Sequence, residues 1–106
     1  MTDIREKFFA LLDESPRPVL ADGAMGTILH TRGVGFDHSF DELNLTDPAL
    51  VAEIHRAYIE AGSQIIYSNT FSANHYKLAE HGLEDKVSEI NRAGVELAQR
   101  VVAAPV

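Results

Sequence analysis

Two short apolar segments, separated by an amphipathic helical pattern, constrain the fold of this chain more than any other feature. They comprise residues 19–21 and 65–67, and each is followed directly by small and polar residues. Consecutive apolar residues are typical of strands that are covered on both faces of a parallel sheet. The order strand, helix, strand predicts a right-handed parallel crossover. Because ligands bind at the carboxyl ends of such strands, residues 22–27 and 68–70 form the candidate ligand-binding edge.

The strongest helical pattern lies between the two apolar segments. Asp47 is suited to the N-cap, Pro48 to the first turn and Gly62 to the C-terminal stop. The helix is predicted to bury a stripe of apolar side chains against the rest of the domain. The members of that stripe are Leu50, Val51, Ile54, Ala57, Tyr58 and Ala61.

Further helices are predicted on both sides of this unit. An N-terminal helix begins at Thr2 or Asp3 as its cap and stops at the proline-containing residues 15–18. A helical turn is expected over residues 27–32, and a short helix over residues 74–81. Residues 33–45 are predicted to be an ordered excursion because several large apolar groups occur in them. The apolar positions of the last helix are Leu83, Val87, Ile90, Gly94, Leu97 and Val101, and Gly94 and Ala98 would allow close packing against a sheet.

Composition narrows the classes of function. The 106 residues, 45% of them hydrophobic, allow one small domain with a core. The net charge of −7 and the pI near 5.0 predict no nucleic-acid or anionic-membrane partner, because both require a basic face. The sequence has no cysteine, so it predicts neither a disulfide nor a thiolate metal site.

No apolar run approaches the roughly 20 residues that span a bilayer. Since the N-terminus has mixed charge and no signal-peptide pattern, we expect a cytoplasmic protein.

Two strands are too few for an independently stable parallel sheet. We therefore predict an α/β fold that is the N-terminal portion of a (β/α)8 TIM barrel, with about two βα units plus an N-terminal helix. Residues 1–106 would then be a fragment of a barrel domain that typically has about 250 residues. The alternative is that the sheet is completed by another chain or a second copy of this one. In both cases the exposed strand edges predict that the isolated chain is oligomeric or partly unfolded.

The two predicted strand ends offer groups that suit an amino-acid ligand. Asp22 supplies a carboxylate for an ammonium group, and Gly23 and Gly26 leave backbone amides open to a carboxylate. The alternative is an ordinary strand-to-helix turn that Asp22 caps. The hydroxyls and the amide of residues 68–70 can orient a ligand, or they can satisfy backbone groups nearby. Tyr67 could point toward either side.

The histidines and the acidic cluster do not predict a metal site. The histidines lack the spacing of paired ligands, and His55, beside Arg56, is predicted to lie on the surface of its helix. The acidic residues lack the alternating spacing of a calcium-binding loop, so we expect a solvated loop. The residues concerned are His30, His38, His55, His75 and His81, together with Asp37, Asp41 and Glu42.

Several motifs occur in an order and at a spacing that resemble the start of the homocysteine S-methyltransferase family. The similarity covers most of residues 17 to 100. The sequence also resembles the bacterial proteins in which this domain is joined to a methylenetetrahydrofolate reductase. The motifs lie at residues 20–27, 41–46, 53–62, 68–74 and 77–83.

The resemblance implies a (β/α)8 barrel that transfers a methyl group to the homocysteine thiol and so forms methionine. It also implies a zinc ion that is held by three cysteines and converts the thiol to a thiolate. By position, Asp22 and Gly23 would help to hold the amino-acid end of homocysteine, with Met25 and neighbouring amides close by, and Asn69 and Thr70 would line the same pocket. Many relatives have Glu-Thr or Gln-Thr where this chain has Tyr and Ser at positions 67 and 68.

The family's zinc cysteines lie on later strands, so the chain itself is predicted to supply no catalytic residue and no metal ligand. Two functions follow as expectations: a segment of a methyltransferase that works with further barrel strands, or a non-catalytic, self-associating α/β module. In either case we expect the chain alone to bind no stoichiometric zinc and to catalyse no methyl transfer. The sequence is compatible with three methyl donors: methyltetrahydrofolate with a cobalamin module, S-methylmethionine and a betaine-type compound.

Overall fold

The computed structural model describes residues 3–104, and within that range the protein has six α-helices and no β-strand. A 3₁₀ turn at Glu84–Lys86 directly precedes the last helix. The helices are α1 (Ile4–Glu14), α2 (Gly26–Thr31), α3 (Leu43–Thr46), α4 (Pro48–Glu60), α5 (His75–Ala79) and α6 (Val87–Ala103).

The two predicted strands do not form, although their segments lie side by side in the predicted parallel direction. They pair at one isolated bridge, between Ala21 and Ile65. The Leu20 carbonyl accepts from Gln64 N at 2.8 Å, and Asp22 N donates to the Ile65 carbonyl at 2.9 Å. Among the described residues no third segment pairs with either edge, so the bridge does not extend into a ladder. Residues 3–104 are therefore mostly helical, and the predicted α/β fold is not confirmed for them.

The predicted helix ends are confirmed where local chemistry defines them. The Asp3 carboxylate accepts from Arg5 N at 3.1 Å and caps α1, whereas Thr2, the other predicted cap, lies outside the described residues. The Asp47 carboxylate caps α4 by accepting from Leu50 N at 3.3 Å, and Pro48 is the first residue of the helix. Gly62 follows α4 with a φ of +116°, a conformation that side chains disfavour.

The core lies between α4 and α6, with a second cluster beside α5. In the first cluster Val51 and Ala52 pack against Leu97 and Val101. The second cluster contains Ala73, Leu78 and Ile90. The predicted apolar stripe of the last helix is confirmed from Ile90 to Val101, where Ile90, Gly94, Leu97, Ala98 and Val101 are buried. Of its first two members, Leu83 precedes α6 and Val87 is half-buried.

The predicted stripe of α4 is only partly correct. Val51 and Ile54 are buried as predicted, but Ala57 and Ala61 are exposed. The buried face is rotated toward Ala52, since α6 and α3 cover α4 on that side. Helix α1 contains no buried residue, and its apolar side chains at Ile4, Phe8 and Leu12 are exposed.

Residues 33–45 form an ordered excursion, as predicted, and they end in α3. Phe36 stacks on His30 with 3.8 Å between ring centroids. Ser39 and Asn44 are buried, which ties the excursion to the rest of the domain. Gly94 permits close packing as predicted, but against α3 and residues 69–70 and not against a sheet. None of the helices over residues 3–104 is both long enough and apolar enough to cross a membrane.

Candidate functional site

A cavity of about 570 Å³ opens where the two paired segments end. Its walls are residues 22–27 and 67–72, together with Phe40 and Asp41. The structure thus brings the two predicted strand ends together even though no strands form. All five residues predicted to bind the substrate line this cavity: Asp22, Gly23, Met25, Asn69 and Thr70.

Asp22 connects the two segments at the floor of the cavity. Its Oδ2 atom accepts from Tyr67 N at 3.2 Å. Its Oδ1 atom is buried and has no hydrogen-bond partner within residues 3–104. Helix α2 begins after Met25, and the hydrogen bond of Asp22 goes to the other segment. The alternative interpretation of Asp22 as a helix cap is therefore wrong.

The glycine-rich loop rests on two aromatic side chains. Tyr58 Oη donates to the Ala24 carbonyl at 2.6 Å. A Cβ atom on Gly23 would lie 3.2 Å from Tyr58 Oη, and one on Gly26 would lie 3.1 Å from Phe40 Cδ2. Both glycines therefore allow tight packing of the loop against these aromatic side chains, and both line the cavity. The partly buried side chain of Met25 packs against the core cluster of α4 and α6.

Asn69 has a supporting role in the wall of the cavity. It is buried, and its Nδ2 donates to the Phe40 carbonyl at 2.9 Å and to Asn44 Oδ1 at 3.1 Å. Asn44 also donates to Asn69: its Nδ2 donates to the Asn69 carbonyl at 2.8 Å and to the Ile90 carbonyl at 3.2 Å. The amide of Asn69 thus satisfies protein groups, which was the alternative to a ligand role. Any ligand contact at this position stays a prediction.

Ser68 and Thr70 present their hydroxyls to each other. Ser68 Oγ and Thr70 Oγ1 lie 2.8 Å apart, and both residues are half-buried in the wall of the cavity. Tyr67, for which the sequence left both directions open, lines the cavity and is 67% exposed. This wall therefore offers hydroxyl groups and an aromatic face but no charge.

Asp41 is a cavity residue that the sequence analysis missed. It was predicted to lie in a solvated loop, yet it is only 4% exposed and its Oδ2 accepts from Ser72 N at 2.9 Å. Burial raises the pKa of the Asp41 carboxyl, and the Ser72 N–H opposes that shift. The signal for burial in the sequence is the flanking pattern of the large apolar residues Phe36, Phe40 and Leu43.

His55 is the second residue whose position was predicted wrongly. It was expected on the surface of its helix, but it is 0% exposed. Neither ring nitrogen has a hydrogen-bond partner among the residues that the structure describes. Burial lowers the pKa of His55, and the negative charge of Asp22 acts in the opposite direction. Its spacing of four residues from Val51, which was predicted to be buried, was the signal for an inward position.

No group of three or more histidine, aspartate or glutamate residues within 3–104 is arranged to hold a metal ion. The sequence also contains no cysteine. The residues of this chain therefore do not fit a zinc site made of three thiolates.

Comparison with known proteins identifies the family. The model of the homocysteine S-methyltransferase family matches residues 19–105. The chain is 34% identical over 91 residues to a protein named methionine synthase from Mycobacterium leprae, with 80% of this chain covered. It is 33% identical over 93 residues to methionine synthase from Mycobacterium tuberculosis, with 82% covered. The match spans 8% of the length of each of these two relatives. The chain belongs to the homocysteine S-methyltransferase family.

Proposed function

We propose that this chain supplies part of the homocysteine-binding site of an enzyme that methylates the homocysteine thiol to form methionine. Membership of the family and the names of the two relatives support the type of reaction. The main structural support is the cavity in which one carboxylate and a glycine-rich backbone converge. A carboxylate and open amides are the groups that recognise the ammonium and the carboxylate of an amino acid.

In this proposal each predicted residue has a defined task. Asp22 binds the ammonium group, and the amides that Gly23 and its neighbours leave open bind the carboxylate. Met25 fixes the end of the loop through its contact with the core. Asn69 holds the opposite wall through Asn44, and Thr70 contributes a hydroxyl beside the ligand.

The activation of sulfur lies outside this chain in the same proposal. Zinc, which the family implies, would convert the thiol to a thiolate, but the chain has no cysteine to hold it. We infer that further strands complete a (β/α)8 barrel and supply the metal ligands. The parallel bridge between Ala21 and Ile65 supports this arrangement, because both segments keep an edge that is unpaired within residues 3–104. The methyl donor is left open.

A self-associating module without turnover is the second candidate. The observation that favours it is the exposure of large apolar side chains on α1 and around the cavity, among them Phe8, Leu12, Leu20 and Phe71. Sedimentation of the purified chain tests it: a discrete dimer that binds no homocysteine would support this candidate over the first.

Calorimetric titration of the purified chain tests the proposed function. Homocysteine is compared with mercaptobutanoic acid, the analogue that lacks the amino group. We expect the wild type to prefer homocysteine, and we expect Asp22→Asn to weaken homocysteine binding by about tenfold or more, since a charge-assisted hydrogen bond contributes roughly 1.5–3 kcal/mol. The binding of mercaptobutanoic acid should not change. The matched control is Asp13→Asn, on the exposed end of α1.

Two results would contradict the proposal. One is a wild-type chain that does not bind homocysteine or does not distinguish it from the analogue. The other is an equal effect of Asp22→Asn on both compounds, which would indicate a general structural change. Stoichiometric zinc binding or methyl transfer by the isolated chain would contradict the proposal that further strands supply the metal ligands.

A further inference from the structure

Only three buried side-chain polar atoms within residues 3–104 have no hydrogen-bond partner, and they belong to two residues. They are Oδ1 of Asp22 and the two ring nitrogens of His55. A buried polar atom without a partner is unfavourable, so such atoms are rare in folded proteins. Because these atoms occur only on these two residues, we ask whether the two side chains interact through a shared hydrogen-bond partner.

The fold places His55 beneath the loop that Asp22 begins. Tyr58, three residues after His55 in α4, bonds to the Ala24 carbonyl and packs under Gly23. Residues three apart lie on the same side of a helix, so His55 faces the same loop one turn earlier. The charge of Asp22 acts on the ring of His55, which is consistent with this placement.

A core-filling role does not account for a histidine at this position. His55 is completely buried, and an aliphatic side chain of similar volume would fill the space without two polar atoms to satisfy. A neutral imidazole has one N–H donor and one acceptor nitrogen. Among the three unpaired buried atoms, Asp22 Oδ1 and the unprotonated ring nitrogen of His55 need a donor, and the ring N–H of His55 needs an acceptor.

We propose that His55 is a positioning residue for the amino-acid subsite, and that its ring N–H holds Asp22 Oδ1 through one bridging water molecule. The proposal rests on the proposed function for its consequence in binding. No direct hydrogen bond joins the two side chains, and a single water molecule, which both accepts and donates, is able to connect them. Asp22 Oδ2, already fixed by Tyr67 N, is then the oxygen that meets the ligand's ammonium.

The neutral state of His55 is important for this role. A positively charged ring beside Asp22 would compete with the ammonium group for the same carboxylate. Burial lowers the pKa of His55 and favours the neutral ring, which does not compete with the ligand's ammonium for Asp22. His55 would thus fix the carboxylate without neutralising it.

Histidine ring resonances in nitrogen-labelled wild-type chain give a test that does not involve homocysteine. We expect His55 to be neutral at pH 7 and locked in one tautomer, and we expect Asp22→Asn to shift its ring signals. Asp13→Asn should leave those signals unchanged. Ring signals of His55 that average between tautomers, or that do not respond to Asp22→Asn, would overturn the proposal.

Ligand binding supplies the second test. His55→Gln keeps a donor, whereas His55→Leu fills the space without one. We expect His55→Leu to weaken homocysteine binding about five- to tenfold, with no effect on mercaptobutanoic acid, because one hydrogen bond is lost. His55→Gln should stay within about twofold of wild type. Equal losses in both variants, or equal losses for both ligands, would mean a structural role and would overturn the proposal.

The two tests separate this inference from the proposed function. If the ring signals respond to Asp22→Asn but the wild type binds no homocysteine, the link between the two residues stands and the proposed function fails. If homocysteine binds and depends on Asp22 while the ring signals and His55→Leu show no effect, the proposed function stands and this inference fails. If His55→Leu does not fold, the ring signals of the wild type and of Asp22→Asn still decide.

Discussion

Replacing Gly94 with alanine tests the packing that connects α6 to the candidate site. A Cβ atom at this position would lie 2.6 Å from Asn44 Nδ2, 2.8 Å from Thr70 Cγ2 and 3.3 Å from the Asn69 carbonyl oxygen. The first two distances are shorter than carbon atoms tolerate, so the neighbours must move. Asn44 Nδ2 is not the free end of a flexible chain, because it donates to Asn69 and Ile90.

The magnitude follows from three opposing contributions to the free energy of unfolding. Alanine in a helix interior is more favourable than glycine by about 1 kcal/mol. Overpacking a filled site costs about 1–3 kcal/mol. Displacing Asn44 also weakens two hydrogen bonds that contribute about 0.5–1.5 kcal/mol each. Since moving Asn44 relieves part of the clash, the costs overlap, and we expect a net destabilisation of about 2 kcal/mol.

Urea and thermal unfolding, followed by circular dichroism at one protein concentration, measure this effect. For a domain of this size the expected loss corresponds to a decrease in Tm of roughly 10 °C. The control variant is Gln99→Ala on the exposed side of α6, which should stay within about 0.5 kcal/mol of wild type.

A double-mutant cycle with Asn44→Ala identifies the contact responsible. Asn44→Ala removes the atom at 2.6 Å, so Gly94→Ala should cost at least about 1 kcal/mol less in that background. The reasoning is refuted if Gly94→Ala is as stable as wild type, as helix propensity alone would predict. It is also refuted if the cost of Gly94→Ala is the same with and without Asn44.

Two further predictions concern the walls of the cavity. Asp41→Asn keeps an oxygen for Ser72 N–H but removes a buried charge. The pKa of Asp41 is raised in the folded protein, so the folded state favours the protonated carboxyl. This stabilising contribution is fully present below the ordinary pKa of 3.8, and it is lost as pH rises through the pKa of the folded state. Asp41→Asn should therefore be more stable than wild type at pH 7. In urea unfolding, this difference in stability should shrink as pH falls toward 3.8. A difference that grows on acidification would contradict the prediction. Tyr58→Phe removes the hydroxyl bonded to Ala24 and should cost about 1 kcal/mol, whereas Tyr76→Phe, at an 84% exposed site, should cost nothing measurable in the same assay.

The helix ends were predictable from sequence because they depend on neighbouring residues. The cap at Asp47 and the stop at Gly62 need only a side chain that accepts from a nearby N–H and a residue that tolerates positive φ. Burial was harder to predict, since it depends on which element covers a helix. His55 and Asp41 were both predicted to be exposed, and both are buried; Asp41 accepts from the distant Ser72 N.

The predicted strands failed for a related reason. A strand exists only if a second segment pairs with it over several residues, and the apolar runs at 19–21 and 65–67 pair at one bridge. Their mutual direction and the polar residues after them were still informative. The location of the candidate site could therefore be predicted from the sequence, even though the secondary structure assigned to its flanks was wrong.

Side chains from the helices, more than the single bridge, hold the site in place. Tyr58 of α4 fixes the first loop from below, and Asn44 of α3 fixes Asn69 on the opposite wall. Asp22 then joins the two walls through Tyr67 N. These supports all lie within residues 3–104, so the hydrogen bonds that hold both walls of the cavity come from this chain. In the proposed function, a site held in this way would recognise the amino-acid end of homocysteine independently of the groups that act on the sulfur.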